Sequence, residues 1–484
     1  MDRFTRTADI IKAYYSYKQT ADSATFVKKV CSFFDFIKDE SLSDADLNLL
    51  LFLANEAGIP QYYDLLKSKF TNAEIGDESI NSLTMSALFH DASLIRVDSK
   101  LHRYQKHVLD SFVATQRNRY VLTAPTSFGK TFLVYEIIQK MQYQNVLLIF
   151  PAISLLSENY ARLCSWEAFS DYAIHSLSEE EFDITQKNIF IFTPERFLSF
   201  MDSHQHLHFN FAFIDEVYKI DNSFVIDQET SGENERDTAY RLALEFICNL
   251  TDNMLLAGPY MALPTAETEL HKSFNDFARD NGFVFLRYNQ FEIVSKEYTT
   301  VKSRQQYIID NIPVEIGSAS KTQKIANIIL ALSSPTENTI IYCNRKSDTE
   351  SYARQLLNNQ ELISIFQERC SAVDAPVYEI FLEHLQNTFG DDWIVLKALK
   401  GRIGIHHSLV PKYIQKEIIS LFNCGALICL FSTTTITEGV NTSAKNIIIT
   451  SGKKGTKNLR QFDAKNIAGR AGRFQQHYSG RVRA

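Results

Sequence analysis

Ala124-Pro125-Thr126-Ser127-Phe128-Gly129-Lys130-Thr131 is the stretch on which the reading of this chain turns. It follows the apolar run Tyr120-Val121-Leu122 and precedes Phe132 to Met141, which reads as a helix. A turn of this kind faces its backbone N–H groups inward at a helix N-terminus, where they cradle phosphate oxygens. Thr126, Gly129, Lys130 and Thr131 are therefore the candidate nucleotide-binding residues. Lys130 would neutralise β and γ phosphates, and the Thr131 hydroxyl would ligate magnesium. The strict pattern has glycine where Ala124 stands, so the turn needs a carboxylate partner.

Phe213-Ile214-Asp215-Glu216 supplies one. An apolar strand ending in two acids sets them at the carboxyl edge of a sheet, where α/β folds bind ligands. Asp215 can reach a magnesium shell, and Glu216 can orient and deprotonate a water. Near the other end stands Asn466-Ile467-Ala468-Gly469-Arg470-Ala471-Gly472-Arg473. Two arginines three apart share one helical face, and small spacers let that face approach another domain closely. Planar guanidinium groups suit the charge that spreads over a transferring phosphoryl group.

Outward from these motifs, short apolar runs alternate with amphipathic stretches from Arg103 onward. Val146–Phe150, Ile189–Phe192, Phe211–Ile214 and Met254–Leu256 join Tyr120–Leu122 as buried strands. Continuous apolarity marks a parallel sheet covered on both faces, and the alternation predicts a doubly wound α/β domain. A second α/β set follows at Thr339–Tyr342, Ala426–Phe431 and Asn446–Ile449, with a helical insertion at about 350–400. Residues 1–95 read as helices only, 96–300 as the nucleotide-binding lobe and 301–484 as the second lobe. Ser43 and Asp44 open a helix that Gly58-Ile59-Pro60 stops. Residues 221–245 read as a polar, mobile loop running into a helix, and 290–325 as a connection between lobes.

With 484 residues, 45% of them hydrophobic and 22% charged, the chain is an ordinary globular protein of two or three domains. Seven scattered cysteines without a CxxC exclude a disulfide framework or zinc ribbon and favour a reducing cytosol. No stretch reaches the ~20 apolar residues that span a bilayer, and no signal peptide is read. A net charge of −7 argues against a general polyanion coat but permits a local basic channel. His204, His206 and His208 read as a solvent-facing loop rather than a zinc site, Cys424 and Cys429 as core, and Tyr14-Tyr15 and Phe33–Phe36 as helical core.

The motifs taken together resemble those of superfamily 2 DExH helicases. APTSFGKT, DEVY, IIYCNRK, GIHHSLVPKYIQKEIISLF, STTTITEGVN and NIAGRAGR occur in the family's order, over about residues 101–484. APTS-x-GKT, the pair His406-His407 and the downstream GVN resemble the Ski-type branch of DNA-repair and RNA-exosome helicases. The resemblance implies two tandem RecA-like domains, ATP and Mg²⁺ as cofactors, and nucleic acid as partner. It implies that Gln105 reads adenine, that Gly439 and Asn441, beside Glu438, sense nucleotide from the second lobe, and that Arg470 and Arg473 are arginine fingers. It also implies that Pro151, Ser154, Thr193, Arg196, Asn344, Arg345 and Thr433 grip the nucleic-acid backbone. Tyr218 stands where the branch has His, Ala257-Gly258-Pro259 where it has Ser-Ala-Thr, and Asn466 where it has Gln. The family's winged-helix and ratchet domains are not expected in this chain, and its last strand is expected to be incomplete.

The leading expectation is a cytoplasmic ATPase that translocates along, and separates, DNA. RNA is the alternative substrate, since only 2′-OH contacts would discriminate. A third reading is a nucleic-acid sensor that controls a partner docked on residues 1–95. Some bacterial antiphage systems, such as Hachiman, pair a helicase of this sort with a nuclease, which suits a defence role.

Overall fold

The computed structural model describes residues 3–67, 95–96, 99–220, 235–261, 272–301, 306–309, 312–316, 320–436, 442, 444–455, 457–474 and 476–483. Residues 3–67 form helices α1 (Arg3–Thr20), α2 (Ser23–Ile37), α3 (Asp44–Ala57) and α4 (Gln61–Lys67). Ser43 and Asp46 cap α3 reciprocally, and Gly58 ends it at φ 73°, a conformation that glycine adopts without a Cβ penalty. The Arg103 guanidinium donates to the α3 carbonyls of Asn55 and Glu56 at 2.8 and 3.0 Å, tying the helical domain to the α/β unit that Arg103 opens.

The first α/β unit runs α5 (Arg103–Ser111), β1 (Arg119–Thr123), α6 (Lys130–Met141), β2 (Asn145–Ile149), α7 (Ile153–Ser165), β3 (Tyr172–His175), β4 (Lys187–Phe192), α8 (Pro194–Ser203), β5 (Phe209–Ile214), α9 (Glu235–Leu250), β6 (Thr251–Gly258), α10 (Lys272–Asp280) and β7 (Val284–Arg287). Its seven strands lie in the order β3-β4-β2-β5-β6-β1-β7, all parallel. Both faces are covered, as the unbroken apolar runs require. In β1, Tyr120 and Leu122 join a core continuous with that of the helical domain, while Val121 joins the core on the opposite face.

The second unit comprises β8 (Ser295–Thr299), α11 (Lys321–Leu332), β9 (Thr339–Tyr342), α12 (Lys346–Leu357), α13 (Gln360–Cys370), α14 (Pro376–Phe389), α15 (Ile394–Lys400), β10 (Ile403–His406), α16 (Lys412–Asn423), β11 (Cys429–Ser432), β12 (Asn446–Ile449), α17 (Gln461–Ala468) and β13 (Ser479–Arg483). Six parallel strands order as β8-β13-β12-β9-β11-β10. The architecture is therefore two tandem RecA-like parallel sheets preceded by helices.

Several expectations need correction. The stretch 290–325 is more than a connection: it contributes β8 to the second sheet and an antiparallel hairpin, Gln306–Ile309 with Ile312–Glu315. The run 426–431 becomes a strand only at Cys429, where pairing with β9 begins. Cys424, read as core, is exposed after the end of α16. Part of the polar loop, 221–234, lies outside the described residues. No described helix is long and apolar enough to cross a membrane.

The helical domain contacts both sheets. Cys31 Sγ meets the Ile293 carbonyl at 3.4 Å, and Phe34 lies 5.5 Å from the Tyr478 ring. Asp35 of α2 accepts from Lys445 at 2.7 Å and from Ser479 at 2.6 Å, both in the second unit.

Candidate active site

The turn after β1 folds as the sequence reading requires. Thr126–Phe128 make one 3₁₀ turn, and Gly129 stands at φ 76° before α6. A Cβ on Gly129 would meet Gln105 Nε2 at 2.7 Å, so both the backbone angle and the space demand glycine. Gln105 lies in the pocket wall, where its amide donates to the Phe128 carbonyl at 3.1 Å. His102 caps α5 and meets the same carbonyl at 3.1 Å. Both side chains brace the phosphate turn from beneath.

Lys130 is buried at the first position of α6, and its ammonium donates to the carbonyls of Ala124 and Pro125 at 3.1 and 2.9 Å. Burial pushes its pKa down to about 8, although Asp215 and Glu216 pull it back up. Asp215 follows β5, its amide bonded to the Ile149 carbonyl at 3.0 Å. Burial and the neighbouring Glu216 charge push the Asp215 carboxyl up to about 6. A half-buried acid so placed is suited to a cation, and the Thr131 hydroxyl lines the same cavity. Mg²⁺ therefore fits here, since it uses one or two protein oxygens plus phosphates and waters. Among the described residues no larger His, Cys, Asp or Glu cluster converges.

Glu216 adopts φ 51°, rare for a residue with a side chain and typical of functional strain. Its amide donates to Asp215 Oδ1 at 2.9 Å, and Lys219 Nζ lies 2.9 Å from its Oε2 without hydrogen-bond alignment. The Tyr218 ring packs edge-on against Phe462 of α17 at 4.7 Å. The residue standing where the family has His thus touches the second sheet's own helix.

From that unit, Arg470 and Arg473 line the same cavity of about 690 Å³ as Lys130, Thr131, Asp215 and Glu216. They do not share a helical face. Helix α17 ends at Ala468, Ala471 bridges to Ala444, and Gly472 at φ 71° turns the chain. The turn, rather than helical periodicity, brings both arginines to one pocket. Burial lowers both guanidinium pKa values. Thr126 Oγ1 donates to the Gly469 carbonyl at 3.0 Å, joining the phosphate turn to the arginine turn.

A Cβ on Gly469 would collide with that Thr126 hydroxyl, although Gly469 itself has ordinary helical φ of −60°. Gly469→Ala should therefore lower ATP turnover about tenfold or more by spacing the turns apart. Melting should shift by no more than about 1 kcal/mol, because alanine suits that backbone. Undiminished turnover would show that the two turns need not meet.

Motif reading missed Glu158, Asn159 and Arg162, which line the pocket from α7, and Phe474, while Pro259 lines it from the motif position where the family has Ser-Ala-Thr. Glu158 and Arg162 sit one helical turn apart, with 3.5 Å between their charged atoms; that spacing was the only signal. Gly439 and Asn441 lie outside the described residues. The candidate strand-gripping residues stand at carboxyl ends of strands. Pro151 and exposed Ser154 follow β2, and Thr193 and Arg196 follow β4. Thr193 caps α8, and Arg196 donates to the Ser176 carbonyl at 3.0 Å. Asn344 and exposed Arg345 follow β9, with Asn344 donating to Gly455 at 3.0 Å, and Thr433 follows β11, 3.3 Å from Thr435. Gly455 belongs to a hairpin on which Lys453 and Lys454 are exposed, a basic feature that the motifs do not include.

Residues 98–249 match the family model described as "Type III restriction enzyme, res subunit". "Anti-bacteriophage protein B" of Escherichia coli K12 is 26% identical over 87% of this chain and 51% of its own length. "Probable ATP-dependent DNA helicase HFM1" of Mus musculus is 23% identical over 77% of this chain and 26% of its own. "Exosome RNA helicase MTR4" of Homo sapiens is 31% identical over 28% of this chain and 13% of its own. The chain thus spans about half the length, or less, of these curated relatives. Motif order, paired parallel sheets and a cavity shared between them agree with these similarities to superfamily 2 helicases.

Proposed function

We propose that this chain hydrolyses ATP in the cavity between its two sheets and couples turnover to movement on a nucleic-acid strand, DNA being the favoured substrate. One observation supports this above all: Lys130, Thr131, Asp215 and Glu216 from one unit face the same space as Arg470 and Arg473 from the other. The backbone of residues 126–130 and the Lys130 ammonium would hold the phosphates. Thr131 and Asp215 would hold Mg²⁺, which when bound neutralises phosphate charge. Glu216 would orient the attacking water and take its proton. Arg470 and Arg473 would stabilise charge on the transferring phosphoryl group. Because the arginines belong to the second unit, the site is complete only when the units meet, and that dependence is what ties hydrolysis to relative movement. Gln105 is assigned to the adenine side. Gly439 and Asn441 remain assigned to nucleotide sensing, and Pro151, Ser154, Thr193, Arg196, Asn344, Arg345 and Thr433 to the strand backbone.

DNA is favoured because the relative named as a DNA helicase matches 77% of the chain, against 28% for the exosome RNA helicase. A second reading is a defence switch in which ATP and nucleic acid control a protein partner on the helical domain. It draws on the anti-bacteriophage relative, which matches 87% of the chain. ATP turnover with no polymer, single-stranded DNA, duplex DNA and RNA tests both. Single-stranded DNA should stimulate turnover at least about tenfold, and Glu216→Gln should lower it by about a hundredfold to ten-thousandfold. Stimulation by RNA alone would move the substrate to RNA. Full turnover in Glu216→Gln would remove the hydrolytic assignment.

A further inference from the structure

Lys296 is an ammonium group buried to 4% exposure on β8, the strand that opens the second sheet. It belongs to none of the motifs. Its Nζ donates to the carbonyl of Ala471 and stands 3.5 Å from that of Gly472. These carbonyls belong to the two residues between Arg470 and Arg473. The neighbouring strand is shaped for this reach. Lys296 is in register with Gly480 of β13, and a Cβ on Gly480 would run into the Ala471 backbone. The arginine turn therefore lies directly against β13, within range of a long side chain from β8.

Charge makes this placement informative. Among the described residues Lys296 forms no ion pair within 4 Å. Its compensation is carbonyl oxygen, a poor exchange for hydration unless the geometry is required. A methionine would fill the same volume without that cost. We propose that Lys296 is the positioning residue of the arginine turn: by drawing the Ala471 and Gly472 carbonyls to one side, it holds Arg470 and Arg473 toward the nucleotide cavity on the other. This rests on the hydrolytic reading above. Gly472 makes the arrangement possible, because its φ of 71° lets successive carbonyls converge on one donor. The Gly472 amide is anchored separately, to the Ala444 carbonyl at 2.6 Å. The turn is thus held at both its donor and acceptor groups.

Burial lowers the Lys296 pKa to about 8, against upward pulls from Glu292 and Cys31 and with a further downward push from Lys445. Those groups, with Asp35 bonded to Lys445, are the charged or titratable neighbours on the packed elements. Lys130 titrates in the same range, but triphosphate beside it would restore its charge. Its alkaline limb would then belong to kcat/KM, whereas that of Lys296 should persist in kcat.

The test is steady-state ATP turnover of Lys296→Met and Lys296→Arg from about pH 6.5 to about 9.5, which brackets the Lys296 pKa of about 8, with saturating single-stranded DNA, beside Lys130→Ala. Lys296→Met should lower kcat about tenfold to a hundredfold, the scale of a small misplacement of catalytic groups, with KM for ATP changed less than about twofold. Lys296→Arg should recover much of kcat and lose the wild-type decline near pH 8. Wild-type kcat in Lys296→Met overturns the proposal, as does an unchanged alkaline limb in Lys296→Arg. The second measurement decides the matter should the methionine variant not fold. If Lys130→Ala also turns over normally, the hydrolytic reading itself has failed; if only Lys296→Met is unaffected, this inference alone has.

Discussion

Lys130→Met is expected to cut ATP turnover by about a hundredfold to a thousandfold while raising the melting temperature. Both effects come from one ammonium. In the cavity it is the cation that would meet the phosphates, and methionine keeps the stem but removes the charge. In the fold, burial lowers its pKa from 10.5 to about 8. The sign is set by that shift. Below pH 8 lysine is charged in the folded and unfolded chain alike, and the fold bears the desolvation penalty, on the order of 3 kcal/mol. Between pH 8 and 10.5 the folded lysine loses its proton first, and the penalty fades. The variant's advantage in melting temperature should therefore be largest near neutrality and shrink as pH rises through that window. Adding ATP with Mg²⁺ should reverse the ranking, because a ligand stabilises only the form that binds it. Turnover equal to wild type, or a melting advantage that does not change between pH 7 and 10, would refute the account.

The parts of the fold legible in the sequence were those where one physical rule acts alone. Val146–Ile149 and Phe211–Ile214 are apolar on both faces because both faces are covered, and nothing else competes with that pattern. Strands β8 and β13 escaped, and the reason is specific. Ser295-Lys296-Glu297-Tyr298-Thr299 and Ser479-Gly480-Arg481-Val482-Arg483 carry polar residues in a sheet where all five positions of β13 are buried. Their charges are satisfied by partners distant in sequence. Arg483 donates to Thr299 at 2.9 Å, and Arg481 reaches Glu337 at 2.9 Å. Periodicity cannot reveal a strand whose buried side chains are made tolerable by another segment.

The candidate site divides the same way. Asp215 and Glu216 were readable because they lie next to the strand end that aims them, and Lys130 because it opens the helix after the glycine turn. Arg470 and Arg473 were readable as a pair, but not the means of their pairing. Helical spacing suggested a shared face, whereas Gly472 and the bridge from Ala471 to Ala444 supply the convergence. Glu158 and Lys296 carried no motif at all. Their relevance exists only once the arginine turn is folded over the first sheet.

Asp35→Ala is expected to destabilise the chain by about 3–5 kcal/mol, the scale of leaving one member of a buried pair uncompensated. Asp35 accepts from Lys445, whose side chain is fully buried, and from Ser479, with Lys38 at 3.2 Å. Lys38 then reaches Glu337 at 2.9 Å, and Arg481 completes the network on the same carboxylate. Burial alone would raise both acids, but Lys445 and Lys38 outweigh it at Asp35, holding it well below the usual carboxylate range. Arg481 and Lys445 bring Glu337 down to about 2. Depressed acids stabilise the fold above their ordinary pKa and lose that contribution as pH falls. The difference in stability between wild type and Asp35→Ala should thus be full above about pH 5 and shrink from there toward pH 2. Asp35→Asn should be intermediate, since its amide oxygen still accepts one of the bonds. Because α2 reaches the second sheet through this network, limited proteolysis of Asp35→Ala should cut residues 1–67 away faster than in wild type. A loss under about 1 kcal/mol at pH 7 would assign these charges the small worth of exposed pairs, and the helical domain would then be held by its apolar contacts around Phe34 and Tyr62 instead.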